Sequence, residues 1–376
     1  MRMRSAVLRA AGAPRPYADS HPLGIEQVEL APPGEGEVLV GVRAAGLCHS
    51  DLSVVNGDRP RPTPMALGHE AAGEVLEVGP GVRDVRVGDH VVLVFVPSCG
   101  LCVPCREGRP ALCEPGAVSN TAGTLLSGER RLTDSDGEPL NHHLGCSSFA
   151  EFAVVSERSV VRVDDDLPWD QAALFGCAVL TGVGAVVNTA RVRLGQSVAV
   201  VGLGGVGLNA VLAAVASGAR EVIAVDPLQD KLDLAASLGA TRTVLAGPAA
   251  ADAVRDLTGG GVDVAIEMAG SVPAFDTAYR ATRRGGTTVT GGLPHPAATW
   301  SIPPVQLVAE ERTIKGSYIG SSVPGRDIPR YVELFRSGQL PVDALLGARL
   351  ALDDINAALD HLDSGHALRQ VVMIDA

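Results

Sequence analysis

The stretch SVAVVGLGGVG, residues 197 to 207, joins a β-type apolar run to the glycine pattern G-x-G-x-x-G. The run predicts a buried strand, and the Ala-rich segment that follows it predicts a helix. Gly202, Gly204 and Gly207 permit a tight turn, close approach of backbone N–H groups to a pyrophosphate, and packing of the helix on the strand. A Gly-rich turn in an ordinary α/β domain can match the same pattern by chance. The interpretation of the motif therefore depends on the sequence around it.

A second β-type run, EVIAVD at 221 to 226, ends in an acid that extends the pattern. Asp226 follows Gly202 by 24 residues, an interval at which a carboxylate can accept hydrogen bonds from both hydroxyls of an adenosine ribose. The same carboxylate would repel a 2′-phosphate. The region therefore predicts an NAD site rather than an NADP site, with Gly205 and Val206 beside the pyrophosphate.

The rest of the chain divides into two regions that differ in their secondary-structure patterns. After Cys177, strand and helix patterns alternate, which predicts βαβ units on a parallel sheet. Residues 1 to 178 are short β-type runs broken by Gly and Pro, and the tail ends in a run, LRQVVMIDA, that could rejoin them. We expect an α/β protein with a doubly wound domain, 179–321, inserted into a strand-rich domain, 1–178 and 322–376. Residues 114 to 145 are polar and Gly-rich and predict an extended surface loop.

Composition excludes several classes of partner. The chain has 31 basic and 43 acidic residues, a net charge of −12, which would repel nucleic acid or an anionic membrane. No continuous apolar run approaches the roughly 20 residues that span a bilayer. The start, MRMRSAVLRAAG, predicts a first strand better than a signal peptide. Six of the seven cysteines have spacings that suit metal ligation, which requires free thiolates and indicates the cytoplasm.

Four of those cysteines lie in one short segment, CGLCVPCREGRPALC. Cys99, Cys102, Cys105 and Cys113 have the spacing C-x2-C-x2-C-x7-C. Four thiolates can close a tetrahedron around zinc with no open position, which predicts a structural zinc site. An iron–sulfur cluster shares the first part of this spacing and stays an alternative, and a disulfide pair is a weaker one.

Three further candidate ligands lie outside that segment. Cys48 stands in AAGLCHSD, His69 in LGHE and Cys177 in LFGCAVLTGVGA. Two thiolates and one imidazole would neutralise Zn²⁺ and leave a fourth position for water or a substrate oxygen, the arrangement of a catalytic zinc. Each residue alone could equally be a buried structural side chain. The nucleotide motif in the same chain favours the catalytic interpretation.

These motifs together resemble the zinc-dependent alcohol dehydrogenases of the medium-chain dehydrogenase/reductase superfamily. The resemblance runs from CHSD, GHEAAGEVLEVGPGV and GDHVV through the cysteine segment, FGCAVLTG and GLGGVG to IKGSYIG and the final LRQVV. It implies a Rossmann NAD-binding domain, a GroES-like catalytic domain, two zinc ions per chain and a homodimer or homotetramer. The implied substrate is a small alcohol or aldehyde.

The resemblance also implies roles for individual residues. Cys48, His69 and Cys177 would hold the catalytic zinc, with Glu70 just behind it. Ser50 would take the proton of the alcohol, and Phe95 would line the substrate channel. His49 and Arg369 would contact the pyrophosphate. Asp226 and Lys231 would hold the adenosine ribose.

The chain departs from many relatives at Ser53, where they carry a histidine that ends the proton relay. Some aryl-alcohol and thiol-dependent formaldehyde dehydrogenases similarly lack that histidine. The expected substrate is a primary aliphatic or aryl alcohol, with a thiol adduct of formaldehyde as an alternative. A zinc- and NAD-binding protein without turnover, and a reductase of C=C bonds, are less favoured. His142 and His143 are interpreted as solvated loop residues, and His90 as a residue that supports the fold.

Overall fold

The computed structural model describes residues 1 to 374 and divides into two units. Unit 1 comprises Met1–Cys177, Val323–Val332 and the chain from Leu346 onward, and unit 2 comprises Ala178–Ser322 and Glu333–Leu345. The sequence interpretation assigned the whole tail from 322 to the first domain, whereas residues 333 to 345 group with unit 2. Residues 375 and 376 of that range lie outside the described residues.

The strands in chain order are β1 (Arg2–Leu8), β2 (Leu23–Leu30), β3 (Glu37–Gly46), β4 (Met65–Ala66), β5 (Ala71–Val78), β6 (His90–Leu93), β7 (Leu132–Thr133), β8 (Pro139–His142), β9 (Phe152–Ser156), β10 (Val160–Arg162), β11 (Ser197–Val201), β12 (Glu221–Asp226), β13 (Arg242–Leu245), β14 (Val262–Glu267), β15 (Thr282–Thr290), β16 (Thr313–Gly316), β17 (Leu346–Leu350) and β18 (Arg369–Met373).

The α-helices are α1 (Tyr17–Ser20), α2 (His49–Val55), α3 (Val103–Arg106), α4 (Glu114–Ala122), α5 (Trp169–Leu174), α6 (Leu180–Gly184), α7 (Gly205–Ala216), α8 (Gln229–Ser237), α9 (Ala250–Thr258), α10 (Val272–Ala281), α11 (Pro304–Ala309), α12 (Pro324–Arg336) and α13 (Ile355–Asp363). Single 3₁₀ turns cover Pro110–Leu112, Glu157–Ser159, Ile319–Ser321, Val342–Leu345 and Leu352–Asp354. Phe175–Val179 and Ala185–Ala190 are π-helical.

Unit 2 contains a six-stranded sheet in which every pair of strands is parallel. The strand order is β13-β12-β11-β14-β15-β16. The order reverses between β11 and β14, which is the topology of a Rossmann fold and marks the usual place for a dinucleotide. The central strands β12, β11 and β14 carry buried Val, Ala and Ile on both faces, because helices cover a parallel sheet from both sides. The parallel sheet expected from the sequence is thus confirmed.

Unit 1 contains a closed barrel, β1-β2-β7-β8-β4, and a seven-stranded sheet organised around β3. Strand β3 pairs antiparallel with β5, β9 and the C-terminal strand β18. Val371 of β18 lies opposite Gly46 of β3, so the end of the chain joins the sheet that its first part begins. This is the return that the tail sequence suggested.

The prediction of an extended surface loop over 114 to 145 is wrong. The segment contains α4, β7 and β8, and both of these strands belong to the barrel. Leu125, Leu132 and Leu140 are at most 1% exposed and belong to the barrel core. These leucines are separated by polar residues, so the segment has no apolar run from which its burial could be recognised.

The two adjacent histidines of this segment are also buried, contrary to the expectation that they are solvated. His142 and His143 are each 1% exposed. His142 Nε2 accepts a hydrogen bond of 3.0 Å from the backbone N–H of Arg131. Burial lowers the pKa of His142 to about 3, so this ring is neutral and acts as an acceptor. His90 packs against the ring of Trp169 with centroids 4.0 Å apart, as a fold-supporting residue would.

One helical stretch, Trp169–Ala190, has the length and apolar character of a membrane span. However, 89% of its apolar window is buried inside the protein. Such burial is typical of the core helix of a globular protein.

We expect Gly207→Ala to destabilise the protein. A Cβ at position 207 would lie 1.8 Å from the carbonyl oxygen of Gly202, so α7 would have to move away from β11. Overpacking of this kind typically costs about 1–3 kcal/mol. The measurement is the midpoint of urea-induced unfolding.

Gly204→Ala is the matched control, because a Cβ at 204 would have no heavy atom within 4 Å. Its midpoint should stay close to that of the wild type. Equal destabilisation by both substitutions would contradict the close packing described at Gly207.

Candidate active site

Four side chains of unit 1 bring metal-ligating atoms to one point. The Sγ atoms of Cys48 and Cys177, a ring nitrogen of His69 and a carboxylate oxygen of Glu70 all lie within 4.8 Å of one another. All four residues are buried. The structure therefore brings together the three residues predicted as catalytic zinc ligands and the acid predicted to stand behind the metal.

Each ligand is delivered by a distinct local structure. Cys48 is the N-cap of α2, directly after β3. His69 precedes β5 and follows Gly68, which has a φ of +92° and where a Cβ would lie 2.4 Å from the backbone nitrogen of Phe149. Only glycine allows the chain to pass so close to Phe149. Cys177 lies in the π-helical turn Phe175–Val179, a local geometry that is frequent at functional sites.

The hydrogen bonding of His69 fits a metal ligand. Its Nδ1 lies 3.0 Å from Oδ1 of the buried Asp51, which places the ring proton on Nδ1 because a carboxylate can only accept. His69 Nε2 is buried and has no hydrogen-bond partner among the described residues. An imidazole whose free lone pair faces two cysteine sulfurs is suited to zinc, and a carboxylate on the other nitrogen is the usual outer partner.

The two cysteines of the site differ in their proton affinity. A hydrogen bond from Cys177 lowers the pKa of Cys48, against the effect of burial, and the neighbouring His69 and Arg369 lower it further. The same hydrogen bond, together with burial, raises the pKa of Cys177. Cys48 is therefore the first of the two to ionise, and both cysteines must be thiolates when a metal binds.

Behind the ligands, Glu70 forms a buried ion pair with Arg369. Burial raises the pKa of Glu70, whereas the Arg369 guanidinium lowers it. Glu70 Oε2 has no hydrogen-bond partner among the described residues. A Cβ at Gly46 would lie 2.4 Å from Glu70 Oε1, so this glycine gives the carboxylate its space. The contact with Glu70 was not foreseen for Arg369, and its predicted pyrophosphate role stays a prediction.

The remaining predicted residues of unit 1 surround the ligands. Phe95 is 9% exposed, and its ring lies edge-on to His69 with centroids 5.3 Å apart. His49 and Ser50 are the first two residues of α2, exposed and half-buried respectively. Ser53 Oγ donates a 2.8 Å hydrogen bond to the carbonyl of His49. The hydroxyl proton of Ser53 is thus used within the helix.

The second cysteine group forms a site by itself. The four Sγ atoms of Cys99, Cys102, Cys105 and Cys113 lie within 4.8 Å of one another. Backbone N–H groups donate to two of the sulfurs: Leu101 and Cys102 to Cys99, and Cys99 and Gly116 to Cys113. The amide of Leu101 is the main reason that the pKa of Cys99 is lowered to about 6. Such amide donors stabilise thiolates, so this set of four sulfurs fits a closed zinc site.

In unit 2 the glycine motif forms the turn before α7 and leaves the start of this helix exposed. Gly202 has a φ of +91°, and a Cβ there would lie 2.6 Å from the backbone nitrogen of Ala269. Gly204 is exposed and caps α7 without a side chain, and the space that a Cβ would occupy there is open. The start of α7 is therefore accessible to an anion, and the helix dipole and free N–H groups favour a pyrophosphate there.

The two residues predicted for the adenosine ribose are also in unit 2. Asp226 ends β12 and accepts hydrogen bonds from the backbone N–H groups of Leu203 at 2.7 Å and Leu228 at 3.0 Å. The carboxylate thereby ties the glycine turn to the end of β12. Lys231, in α8, is buried, and burial lowers its pKa although the acids Asp230 and Asp226 raise it.

Sequence reasoning missed two residues beside the metal ligands. Asp51 is the third residue of α2, and its Oδ2 accepts from the backbone N–H of Cys48 at 3.1 Å. This N-cap-to-N3 spacing is a local signal that could have identified it. His143 also lies against Asp51, with its Nδ1 3.3 Å from Oδ1. The only local sign of its burial is the weakly polar sequence LGCSSFA that follows it.

The comparisons with known proteins cover both units. The alcohol dehydrogenase GroES-like domain matches residues 34–165, and the zinc-binding dehydrogenase domain matches residues 205–337. Among curated proteins, the putative alcohol dehydrogenase D of Mycobacterium tuberculosis is 40% identical, over 99% of this chain and 100% of the relative. The S-(hydroxymethyl)glutathione dehydrogenase of Paracoccus denitrificans is 35% identical, again over 99% and 100%.

A solved structure agrees with these relatives. The crystal structure of benzyl alcohol dehydrogenase from Acinetobacter calcoaceticus is 33% identical and superposes over 100% of both chains with a TM-score of 0.92. The expected combination of a GroES-like domain and a Rossmann domain is confirmed. Zinc and NAD, the cofactors expected from the sequence, are those of the family that these matches identify. The chain belongs to the zinc-dependent alcohol dehydrogenases of the medium-chain dehydrogenase/reductase superfamily.

Proposed function

We propose that this oxidoreductase interconverts a primary alcohol, aliphatic or aryl, and its aldehyde by hydride transfer to or from NAD, at a catalytic zinc held by Cys48, His69 and Cys177. The buried Nε2 of His69 carries this proposal, because it has no hydrogen-bond partner among the described residues and lies among the other ligand atoms. Zinc bound there supplies Lewis-acid polarisation of the substrate oxygen.

The chain's own residues supply the rest of the chemistry. Asp51 holds His69 in the tautomer that leaves Nε2 free, and the Glu70–Arg369 pair lies behind the ligands. The ring of Phe95, beside His69, offers an apolar wall that suits the carbon chain or ring of an alcohol.

Ser50 is the residue proposed to accept the alcohol proton. Its hydroxyl can donate and accept at once, as a proton relay requires. It lies two residues after Cys48 at the start of α2 and is half-buried. Because Ser53 donates to the helix backbone, we propose that the proton leaves Ser50 by a path that does not include position 53.

For the nucleotide, the accessible start of α7 and Asp226 support NAD as the partner of Gly204, Gly205 and Val206. The buried carboxylate of Asp226 would lie close to a 2′-phosphate and repel it. The pyrophosphate contacts of His49 and Arg369 and the ribose contact of Lys231 stay predictions. The seven free cysteines support a reducing compartment, so we propose that the enzyme acts in the cytoplasm.

A thiol adduct of formaldehyde is the second candidate substrate. The observation that favours it is the relative from Paracoccus denitrificans, which is named for oxidation of S-(hydroxymethyl)glutathione. The relative named for benzyl alcohol favours the first candidate. Both reactions use the same metal ligands and the same hydride acceptor, so only the substrate separates them.

The substrate prediction is tested by nicotinamide absorbance during turnover. We expect reduction of NAD⁺ by ethanol or benzyl alcohol, and a much slower reaction with NADP⁺. Formaldehyde is assayed with and without glutathione, and a reaction that requires both would favour the second candidate. Absence of turnover with every pair, from protein shown to hold its zinc, would contradict the proposed activity and favour a non-catalytic zinc and NAD protein.

We expect single substitutions to remove the two zinc ions independently, with different effects on activity and stability. Cys177→Ser should remove the catalytic zinc and lower activity at least about 100-fold, because losing a ligand is more severe than losing an outer partner, for which 10–100-fold is usual. Cys102→Ser should remove the other zinc and mainly lower the unfolding temperature, because a structural zinc contributes folding energy. The measurements are zinc content, activity and thermal unfolding.

Each variant is the control for the other. Both should keep one zinc per chain, and only the Cys102→Ser protein should retain substantial activity before it unfolds. Loss of both zinc ions from the Cys177→Ser protein at ambient temperature would contradict the assignment of separate sites.

For the assembly, we propose a dimer formed through the edge of the parallel sheet. Strand β16 is the last in its order, so one of its sides has no partner strand among the described residues. Beside it in sequence, α11 exposes Val305 and Val308 by 68% and 78%. An open edge next to exposed apolar side chains suits pairing with a second copy about a two-fold axis.

Light scattering during size exclusion should give a mass of at least two chains. Val308→Glu should shift the protein towards the monomer without lowering its unfolding temperature by more than the loss of association explains, since this side chain is exposed in the single chain. A monomeric wild type would refute the proposed dimer.

A further inference from the structure

Asp51 is a buried carboxylate that two imidazoles share. It is 0% exposed. The Nδ1 atom of His69 lies 3.0 Å from Oδ1, and the Nδ1 atom of His143 lies 3.3 Å from the same oxygen. The other oxygen, Oδ2, accepts from the backbone N–H of Cys48. A buried carboxylate needs donors for its lone pairs, so each of these three groups helps to fix its position.

His143 is held in place independently of this contact. It follows β8, and its backbone N–H donates to Ser147 Oγ at 3.0 Å. Its carbonyl accepts from the backbone N–H groups of Cys146 and Ser147 at 3.0 and 3.2 Å. The ring therefore approaches Asp51 from a backbone turn that is fixed by its own hydrogen bonds.

The rings around His69 leave it little freedom. His143 lies edge-on to His69, with centroids 5.4 Å apart and planes at 85°. Phe95 lies edge-on to the same imidazole at 5.3 Å and 90°. Rotation of the His69 ring would disturb both contacts and would break its bond to Asp51.

The contact between His143 and Asp51 is electrostatic rather than a well-formed hydrogen bond. His143 Nδ1 is close to Oδ1 but does not meet the geometry of a good hydrogen bond. The contact with the carboxylate is attractive when the ring proton of His143 is on Nδ1, because a carboxylate can only accept.

We propose that His143 is a positioning residue of the catalytic metal site that acts through Asp51. It restrains the carboxylate oxygen that holds the His69 Nδ1–H, and thereby the direction of His69 Nε2. This inference rests on the proposed function, in which His69 is a zinc ligand. It concerns a residue that is not itself one of the predicted zinc ligands.

The test uses two substitutions with opposite chemistry. His143→Phe keeps a ring of similar size and removes the donor. His143→Asn removes the ring but places an amide N–H close to the position of Nδ1. Zinc release from the holoenzyme to a chromogenic chelator is measured for both, and the phase that belongs to the catalytic site is identified by its absence from Cys177→Ser.

We expect zinc to leave the catalytic site about tenfold faster in His143→Phe, the lower end of the range for loss of an outer partner. His143→Asn should bring release back towards the wild-type rate, because its amide N–H partly replaces the lost contact with Asp51. The four-cysteine site in the same molecule is the internal control, and its release should not change.

A role in packing alone predicts the reverse order, with His143→Phe like the wild type and His143→Asn faster. That result would overturn the inference and leave the proposed function intact. Wild-type protein that lacks the Cys177-dependent phase would instead refute the catalytic zinc itself.

Discussion

The hydrogen bond between Asp51 and His69 is the constraint on which the site depends. A buried carboxylate that accepts from Nδ1 determines which nitrogen of the imidazole keeps its lone pair. Without it, burial alone would leave His69 free to take either tautomer, and in one of them the ligand set of Cys48, His69 and Cys177 would lose its nitrogen donor. Asp51 also accepts from the N–H of Cys48, so one side chain organises two of the three ligands.

The rest of unit 1 serves this arrangement by bringing distant segments together. Strand β3 ends at Gly46, which leaves room for Glu70, and leads to Cys48 at the start of α2. The C-terminal strand β18 pairs with β3 and begins with Arg369, whose guanidinium meets Glu70. The seven-stranded sheet thus joins the first and last parts of the chain at the metal ligands. The predicted nucleotide site of unit 2 is simpler. It consists of a turn with three glycines after β11 and of Asp226 at the end of the adjacent parallel strand β12.

The sequence predicts what is local and misses what is built from distant segments. The glycine turn, Asp226 and the four-cysteine group each lie within a short interval, so spacing alone indicates them. The set of Cys48, His69 and Cys177 spans more than a hundred residues. Their residue types and the nucleotide motif suggested this set, and the family resemblance supported it. The tail sequence suggested the return of β18, but no local pattern indicates the contacts of His143 with Asp51 or of Glu70 with Arg369. Residues 333–345 group with unit 2, an association between distant segments that no local pattern in the tail indicates.

X-ray diffraction from crystals of the holoenzyme at the zinc absorption edge tests the central claim most directly. The account predicts one anomalous peak at the four-cysteine group and a second bonded to Cys48, Cys177 and His69 Nε2, with Asp51 on His69 Nδ1. A second peak that is absent, or that is bonded to His69 through Nδ1, would contradict it.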